Sequence, residues 1–273
     1  MSGYWLIYEK EPPVDKVRSK KFRDDITFDM ILSLYIFDRK LRLLLMEAID
    51  RIEVALRSAW SNELSLRYGP HGYMDPLNFG SPWKHTEYMN RVASRVEDSN
   101  EVFHNYYKGK YCNPFLPPSW SVCQTMTMTE LINWYSFTKD QNVKKFVARR
   151  LGFPSKEVAD GALSSLRYVR NICAHHGRLW NRGLVVRLPL IKKFRADMVS
   201  NLEIQSGVSK EVPDNTTYNV LVVIMRLILN QNEATSFPSR VYGLIVELTD
   251  FQRNAMGFPS DWQARPIWEK AAN

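Results

Sequence analysis

The chain has 273 residues, of which 45% are hydrophobic and 24% are charged. This composition is ordinary for a globular protein and argues against intrinsic disorder, and the length suffices for one large domain or two small ones. The formal net charge of +8 is compatible with a polyanionic partner such as nucleic acid, although many basic proteins bind none.

The sequence carries no sign of a membrane segment, a metal site or a disulfide framework. The longest apolar run, at 220–229, is too short to span a bilayer and contains Arg226. The N-terminus lacks the basic and apolar regions of a signal peptide. The three cysteines form no CxxC pair, and the isolated histidines lack the spacing of metal ligands. We therefore expect a protein of the reducing cytoplasm with no membrane segment, no metal and no cofactor.

In chain order, the first predicted segment is a charged loop at 14–25, whose basic residues include Lys16 and Arg18. These residues could contact RNA phosphates, but a solvated basic arm is the favoured interpretation. A long helix is then predicted over 28–67. Its apolar residues recur at helical spacing, and Gly69-Pro70 stops the pattern.

The apolar stripe of this long helix includes Asp38, and a buried carboxylate needs a partner. Arg42, one turn further on, and Arg170 are the two candidates. Glu53 and Arg57 form another pair four residues apart. Two interpretations are open. Either both pairs are structural, or Asp38, Arg42 and Glu53 support the side chains of a functional site from behind.

Shorter helices follow, and the one at 120–138 is apolar almost all round. That pattern indicates burial on several sides or a dimer face, and burial is the favoured interpretation. The other predicted elements are helices at about 82–98, 100–108 and 140–150, an extended segment at 184–191, a loop at 203–213, and helices at about 215–231 and 239–255.

One further helix is predicted from Ser155, its N-cap, to about Ala174. Asn171 and His175 are four residues apart and share one face of this helix, with Arg170 at the edge of that face. Gly177 is expected to end the helix in the left-handed conformation. Histidine transfers protons near neutral pH, arginine binds a phosphate with a planar fork of donors, and asparagine can fix an imidazole tautomer.

No carboxylate lies in this stretch, so the three side chains favour metal-free acid–base chemistry on a phosphodiester. The alternative is that His175 and His176 only cap the helix C-terminus. Beyond them, Arg178, Trp180 and Arg182 could grip a phosphate and stack on an unpaired base. Packing against the helix is the favoured interpretation for Trp180, and RNA contact is favoured for the two arginines.

The run from Arg170 to His175, RNICAH, resembles the R-x(4)-H signature of HEPN domains. The longer run RNICAHHGRLWNR is similar to the Abi-like (abortive infection, AbiD/AbiF type) family within that group, as are the stretches at 34–57 and 256–268. The family pattern at Ser2-Gly3-Tyr4-Trp5 normally follows one or two helices. Either this chain lacks a leading segment or it has a naturally short N-terminal arm.

The resemblance implies an all-α fold, a HEPN-type helical bundle with additional helices, which we expect to form one domain over 1–273. It also implies a metal-independent endoribonuclease that acts in phage defence or as the toxin of a toxin–antitoxin system. Attack by the RNA's own 2′-hydroxyl would leave a 2′,3′-cyclic phosphate. His175 would transfer a proton, Arg170 would neutralise the transition state, Asn171 would orient the histidine or the substrate, and His176 is the weaker catalytic candidate.

One motif per chain predicts a homodimer with a shared cleft, as the resemblance also implies. Two other functions stay open. The first is a non-catalytic RNA-binding module that holds a small non-coding antitoxin RNA. The second is a helical interaction scaffold that never meets RNA.

Overall fold

The computed structural model describes residues 3–10, 21–205 and 208–272. Most of these residues are helical, which confirms the predicted all-α fold. The helices are α1 (Phe28–Tyr68), α2 (Pro82–Asp98), α3 (Val102–Lys110), α4 (Ser119–Val122), α5 (Met128–Phe137), α6 (Gln141–Leu151), α7 (Lys156–Ala174), α8 (Thr217–Gln231), α9 (Phe237–Val246), α10 (Asp250–Asn254) and α11 (Pro266–Ala272). One antiparallel hairpin joins β1 (Ser200–Gln205) and β2 (Val208–Pro213).

The long helix α1 is the element against which the others pack. The Thr27 side chain caps its N-terminus by accepting from the Met30 N–H, and Gly69, with φ of 77°, follows its last residue. Helices α6, α7, α8 and α9 all pack on α1. Its stripe from Ile31 to Leu64 belongs to a continuous cluster of buried apolar side chains. The predicted long helix is thus confirmed, and the motif helix α7 packs on it as well as on α5 and α6.

Two predicted helices are each divided in the structure. The apolar stretch at 120–138 forms α4 and α5, because Thr127 starts a new helix in a reciprocal capping box with Glu130. Thr249 and Gln252 divide the stretch at 239–255 in the same way. Both Thr-x-x-Glu/Gln signatures are present in the sequence. They were missed because the apolar residues on either side continue at helical spacing. The apolar face of α5 is buried, as expected for core.

The hairpin corrects one further prediction. The stretch at 203–213, predicted as a loop, contains β2 and the last residues of β1. Leu202 and Ile204 on β1 are largely exposed, so the hairpin does not bury the alternating apolar face that usually reveals a strand.

Part of the predicted N-terminal arm, with Lys16 and Arg18, falls in residues 11–20 and lies outside the described residues, as does Ser2. Within the described ranges, no helix is both long and apolar enough to cross a membrane. Across the same residues, no cluster of histidine, cysteine and carboxylate side chains has the arrangement of a metal site.

Candidate functional site

The motif helix α7 ends at Ala174, as predicted, three residues before the glycine that was expected to close it. The Ser155 side chain caps its N-terminus as predicted, accepting from the Val158 N–H. At the other end, the Gly177 N–H donates to the Ile172 carbonyl at 2.8 Å, and the His176 N–H donates to Cys173. This is a Schellman motif, in which the residue after the C-cap takes the left-handed conformation.

The left-handed residue is His176, with φ of 56°, so the prediction for Gly177 is wrong. Histidine is among the residues that enter this region more often than most, although it does so at a cost that glycine avoids. The turn leaves His175 and His176 beyond the last full turn of α7, and both side chains are exposed.

Four side chains of the motif meet solvent to different degrees. Asn171, His175 and His176 are exposed, and Arg170 is half-buried. The His175 backbone N–H donates to the Asn171 carbonyl at 3.0 Å. Among the described residues, however, no hydrogen bond joins the Asn171 amide to the His175 ring. Orientation of the imidazole by Asn171 therefore stays a prediction. Both side chains are exposed and so accessible to a substrate.

Helix α1 places Glu53 beside Arg170. Burial raises the pKa of Glu53, while the positive charges of Arg57 and Arg170 each act to lower that pKa. The hydrogen-bond partner of the carboxylate is Arg57, whose Nη2 donates to Glu53 at 2.5 Å and to the Met126 carbonyl at 2.8 Å. Glu53 thus supplies a favourable charge next to Arg170, and its geometry is fixed by another arginine.

Asp38 is fully buried and braces the loop that follows the motif. Its carboxylate forms an ion pair with Arg42. It also accepts the backbone N–H groups of Leu179 and Trp180, at 3.1 and 2.6 Å. Arg42 is therefore the partner of Asp38. The alternative pairing with Arg170 is wrong, because the carboxylate faces the loop beyond the end of α7 and its acceptor positions are used there.

The N-terminal segment completes this cluster, a role that sequence reasoning missed. The Tyr4 hydroxyl donates to Asp38 at 2.6 Å, and its ring stacks on Trp180 with centroids 6.5 Å apart. Burial and the Asp38 carboxylate raise the pKa of Tyr4 to about 12. A Cβ on Gly3 would lie 2.6 Å from the Arg178 Nε, so this position accepts only glycine without a shift of the arginine. The aromatic residues at the start of the chain were the sequence signal that could have predicted this packing.

Trp180 is completely buried, so the prediction that it stacks on an RNA base is wrong and the packing interpretation holds. Its indole N–H donates to the Gln252 carbonyl at 3.3 Å. The neighbouring Leu179 carbonyl accepts from the Thr217 hydroxyl at 3.2 Å. The loop after the motif is therefore held between α1 and the C-terminal helices.

Arg178 and Arg182 are half-buried and partly used within that loop. Arg178 Nη1 donates to the carbonyls of Trp180 and Asn181, both at 3.0 Å. Arg182 donates to the Arg178 carbonyl at 3.3 Å and to the Tyr168 hydroxyl at 3.5 Å. Each guanidinium has further donors, and their contact with RNA stays a prediction.

The fold and the site define an all-helical protein that presents an Arg-x(4)-His motif at the end of one helix. A model of the Abi-like protein family matches residues 1–181, which is more than half of the chain, and the chain belongs to that family. Membership suggests a role in abortive infection, a bacterial defence against phage. The matched region contains α1 to α7 and the loop to Asn181, but not the third resembling stretch at 256–268. Neither the curated proteins nor the solved structures contain a match to this chain.

Proposed function

We propose that the protein is a metal-independent HEPN endoribonuclease that serves in phage defence or as the toxin of a toxin–antitoxin pair. The observation that carries the proposal is the position of Arg170 and His175 at one end of α7. The imidazole is exposed, and the half-buried guanidinium lies beside Glu53. A cation and an accessible proton-transfer group are what cleavage of a phosphodiester needs.

In the proposed reaction, the 2′-oxygen of one nucleotide attacks the adjacent phosphorus and the bond from phosphorus to the 5′-oxygen breaks. His175 removes the proton from the 2′-hydroxyl or gives one to the departing 5′-oxygen. Arg170 neutralises the charge that develops on the non-bridging oxygens. Asn171 holds the substrate or the imidazole, and His176 is the second candidate for proton transfer. The products are a 2′,3′-cyclic phosphate and a 5′-hydroxyl.

The reaction needs a base and an acid, and each chain has one R-x(4)-H motif. A homodimer that brings two motifs to one cleft would supply both groups. The exposure of His175 and Asn171 leaves the end of α7 free to meet a second copy. Sedimentation of the purified protein should give twice the chain mass, and a monomer that cleaves RNA at full rate would exclude the shared cleft.

Substrate chemistry provides the test of this proposal. Purified protein in EDTA should cleave a labelled single-stranded RNA and leave 2′,3′-cyclic phosphate ends. It should leave a DNA of the same sequence intact, because DNA has no 2′-hydroxyl to attack. Cleavage of the DNA, or loss of RNA cleavage when metals are chelated, would contradict the proposed mechanism.

One observation favours a second function. Within the described part of the chain, His175 makes no hydrogen bond that would fix its tautomer. If the imidazole is not oriented for proton transfer, the motif would only bind phosphate. The protein would then hold a small non-coding antitoxin RNA without cutting it. Equal RNA affinity of the wild type and His175→Ala, with no cleavage by either, would support this binding module.

A further inference from the structure

A groove of about 540 Å³ lies along α1, one turn beyond Glu53. One wall is the face of α1 that carries Ser58 and Asn62, and the other wall is formed by Trp120 and Gln124. Its volume lies within the range of roughly 300–1,000 Å³ that is usual for ligand sites.

Arg57 connects this groove to the candidate site. It lines the groove, and its Nη2 donates to Glu53. Glu53 also feels the charge of Arg170, which partly offsets the rise that burial causes in its pKa. The Arg57 Nε is buried and has no hydrogen-bond partner among the described residues. A buried donor without a partner is costly. This donor belongs to the side chain that lines the groove on the side nearest the motif.

The two walls of the groove have complementary chemistry. Trp120 lines the groove and is 52% exposed, although tryptophan is usually well buried. Ser58 and Asn62 are also exposed and lie one helical turn apart, and Gln124 adds a second amide. An aromatic surface combined with amide and hydroxyl groups is how proteins hold unpaired bases by stacking and by hydrogen bonds to the base edge.

We infer that this groove binds one unpaired base of the RNA strand, with the base on Trp120 and the adjoining backbone directed along Arg57 toward Arg170. Asn62 lies about 13 Å along α1 from Glu53, so the bound base would be within a few nucleotides of the scissile phosphate. This inference rests on the proposed function for the identity of the strand as RNA, and it does not depend on whether the strand is cut.

The test is done in the His175→Ala background, so that the RNA stays intact. Affinity for a labelled single-stranded RNA is measured by fluorescence anisotropy after adding Trp120→Ala, Trp120→Phe or Trp83→Ala. Trp83 is the matched control, since it is 82% exposed on α2 and does not line the groove. Loss of a stacking ring should weaken binding about ten-fold for Trp120→Ala, with little change for the other two variants.

The salt dependence of binding distinguishes stacking from charge. Trp120→Ala should leave the slope of log affinity against log salt unchanged, because no phosphate contact is removed. Circular dichroism must show that each variant is folded. Unchanged RNA affinity in Trp120→Ala, or an equal loss in Trp83→Ala, would overturn the inference.

One further result would also overturn it. If Trp120→Ala changes the oligomeric state and not the RNA affinity, the groove is a protein interface. The outcome is separable from the nuclease proposal, because weaker binding by Trp120→Ala would support the groove even if the wild type cuts nothing.

Discussion

Arg170 and His175 are separated by one helical turn and a cap, and yet they occupy different surroundings. Arg170 is half-buried beside Glu53, whereas His175 lies in solvent at the C-cap of α7. His176, its neighbour, has a left-handed backbone. These differences give each residue a separate test.

The backbone of His176 distinguishes the two histidines. Because a left-handed conformation costs an L-residue about 1 kcal/mol that glycine avoids, His176→Gly should raise the free energy of unfolding by about that amount. RNA cleavage should not change, since His175 remains. The measurements are urea unfolding and initial cleavage rates, with His176→Ala as the control that keeps the strain. A loss of cleavage as large as that of His175→Ala would transfer the catalytic role to His176.

The pH dependence of stability tests the surroundings of Glu53. Burial raises its pKa above the ordinary 4.5, and Arg57 and Arg170 offset only part of that effect. The folded protein therefore holds this proton more tightly than the unfolded chain does, and Glu53 lowers stability as pH rises from 4.5 through the raised pKa. In urea unfolding, the free energy of unfolding of Glu53→Gln should increase relative to that of the wild type as pH rises through this range.

Glu87→Gln is the matched control for this prediction, since Glu87 is exposed on α2 and pairs with Arg91 as Glu53 pairs with Arg57. Its stability relative to the wild type should show no such gain. A wild type that becomes more stable than Glu53→Gln with rising pH would mean that the arginines outweigh burial.

At the scale of elements, the end of α7 is positioned by two segments that are distant in sequence. Asp38 on α1 holds the backbone of Leu179 and Trp180, and Tyr4 from the N-terminal segment holds Asp38. The loop is thereby fixed by buried hydrogen bonds to a carboxylate, which are among the stronger polar contacts in proteins. Removal of one partner should loosen the loop and the histidines that precede it.

Tyr4→Phe tests this bracing. Hydrogen bonds to charged groups contribute about 2 kcal/mol, so the variant should lose about that much stability near pH 8. In the folded protein the pKa of Tyr4 is about 12, whereas the ordinary pKa of tyrosine is 10. The contribution is therefore complete below pH 10 and is lost as pH rises from 10 to 12, so the two proteins should converge there.

The control is Tyr106→Phe, because Tyr106 is 60% exposed on α3 and its loss should cost little. Stability is measured by urea unfolding across the alkaline range. Equal stability of Tyr4→Phe and the wild type near pH 8 would show that the N-terminal segment does not brace Asp38.

Helical periodicity predicted α1 and α7 because both are long and bury one clear stripe. Periodicity failed where a capping box interrupts an apolar run, as at Thr127 and Thr249, and where a hairpin leaves its apolar residues exposed, as at Ile204. The ion pair of Asp38 with Arg42 follows from spacing along one helix. Its bonds to Leu179, Trp180 and Tyr4 join distant segments, which no local pattern reveals.

At the scale of the whole molecule, α1 joins the three features on which the proposals depend. Asp38, Glu53 and Asn62 are all on this helix and span about 36 Å of its axis, from the braced loop, past Arg170, to the groove. The C-terminal helices lie outside the region that matches the Abi-like family. They still bear on the site, since Gln252 and Thr217 hold Trp180 and Leu179.

The most direct measurement is the initial rate at which the wild type, Arg170→Ala and His175→Ala cleave a labelled single-stranded RNA in EDTA, each purified free of host nucleases. Removal of either group should lower the rate by about a hundred-fold or more, because each is proposed to act on the transition state. Circular dichroism should show both variants folded, since both side chains lie outside the core. Wild-type cleavage by either folded variant would contradict the assignment of Arg170 and His175 as the catalytic pair.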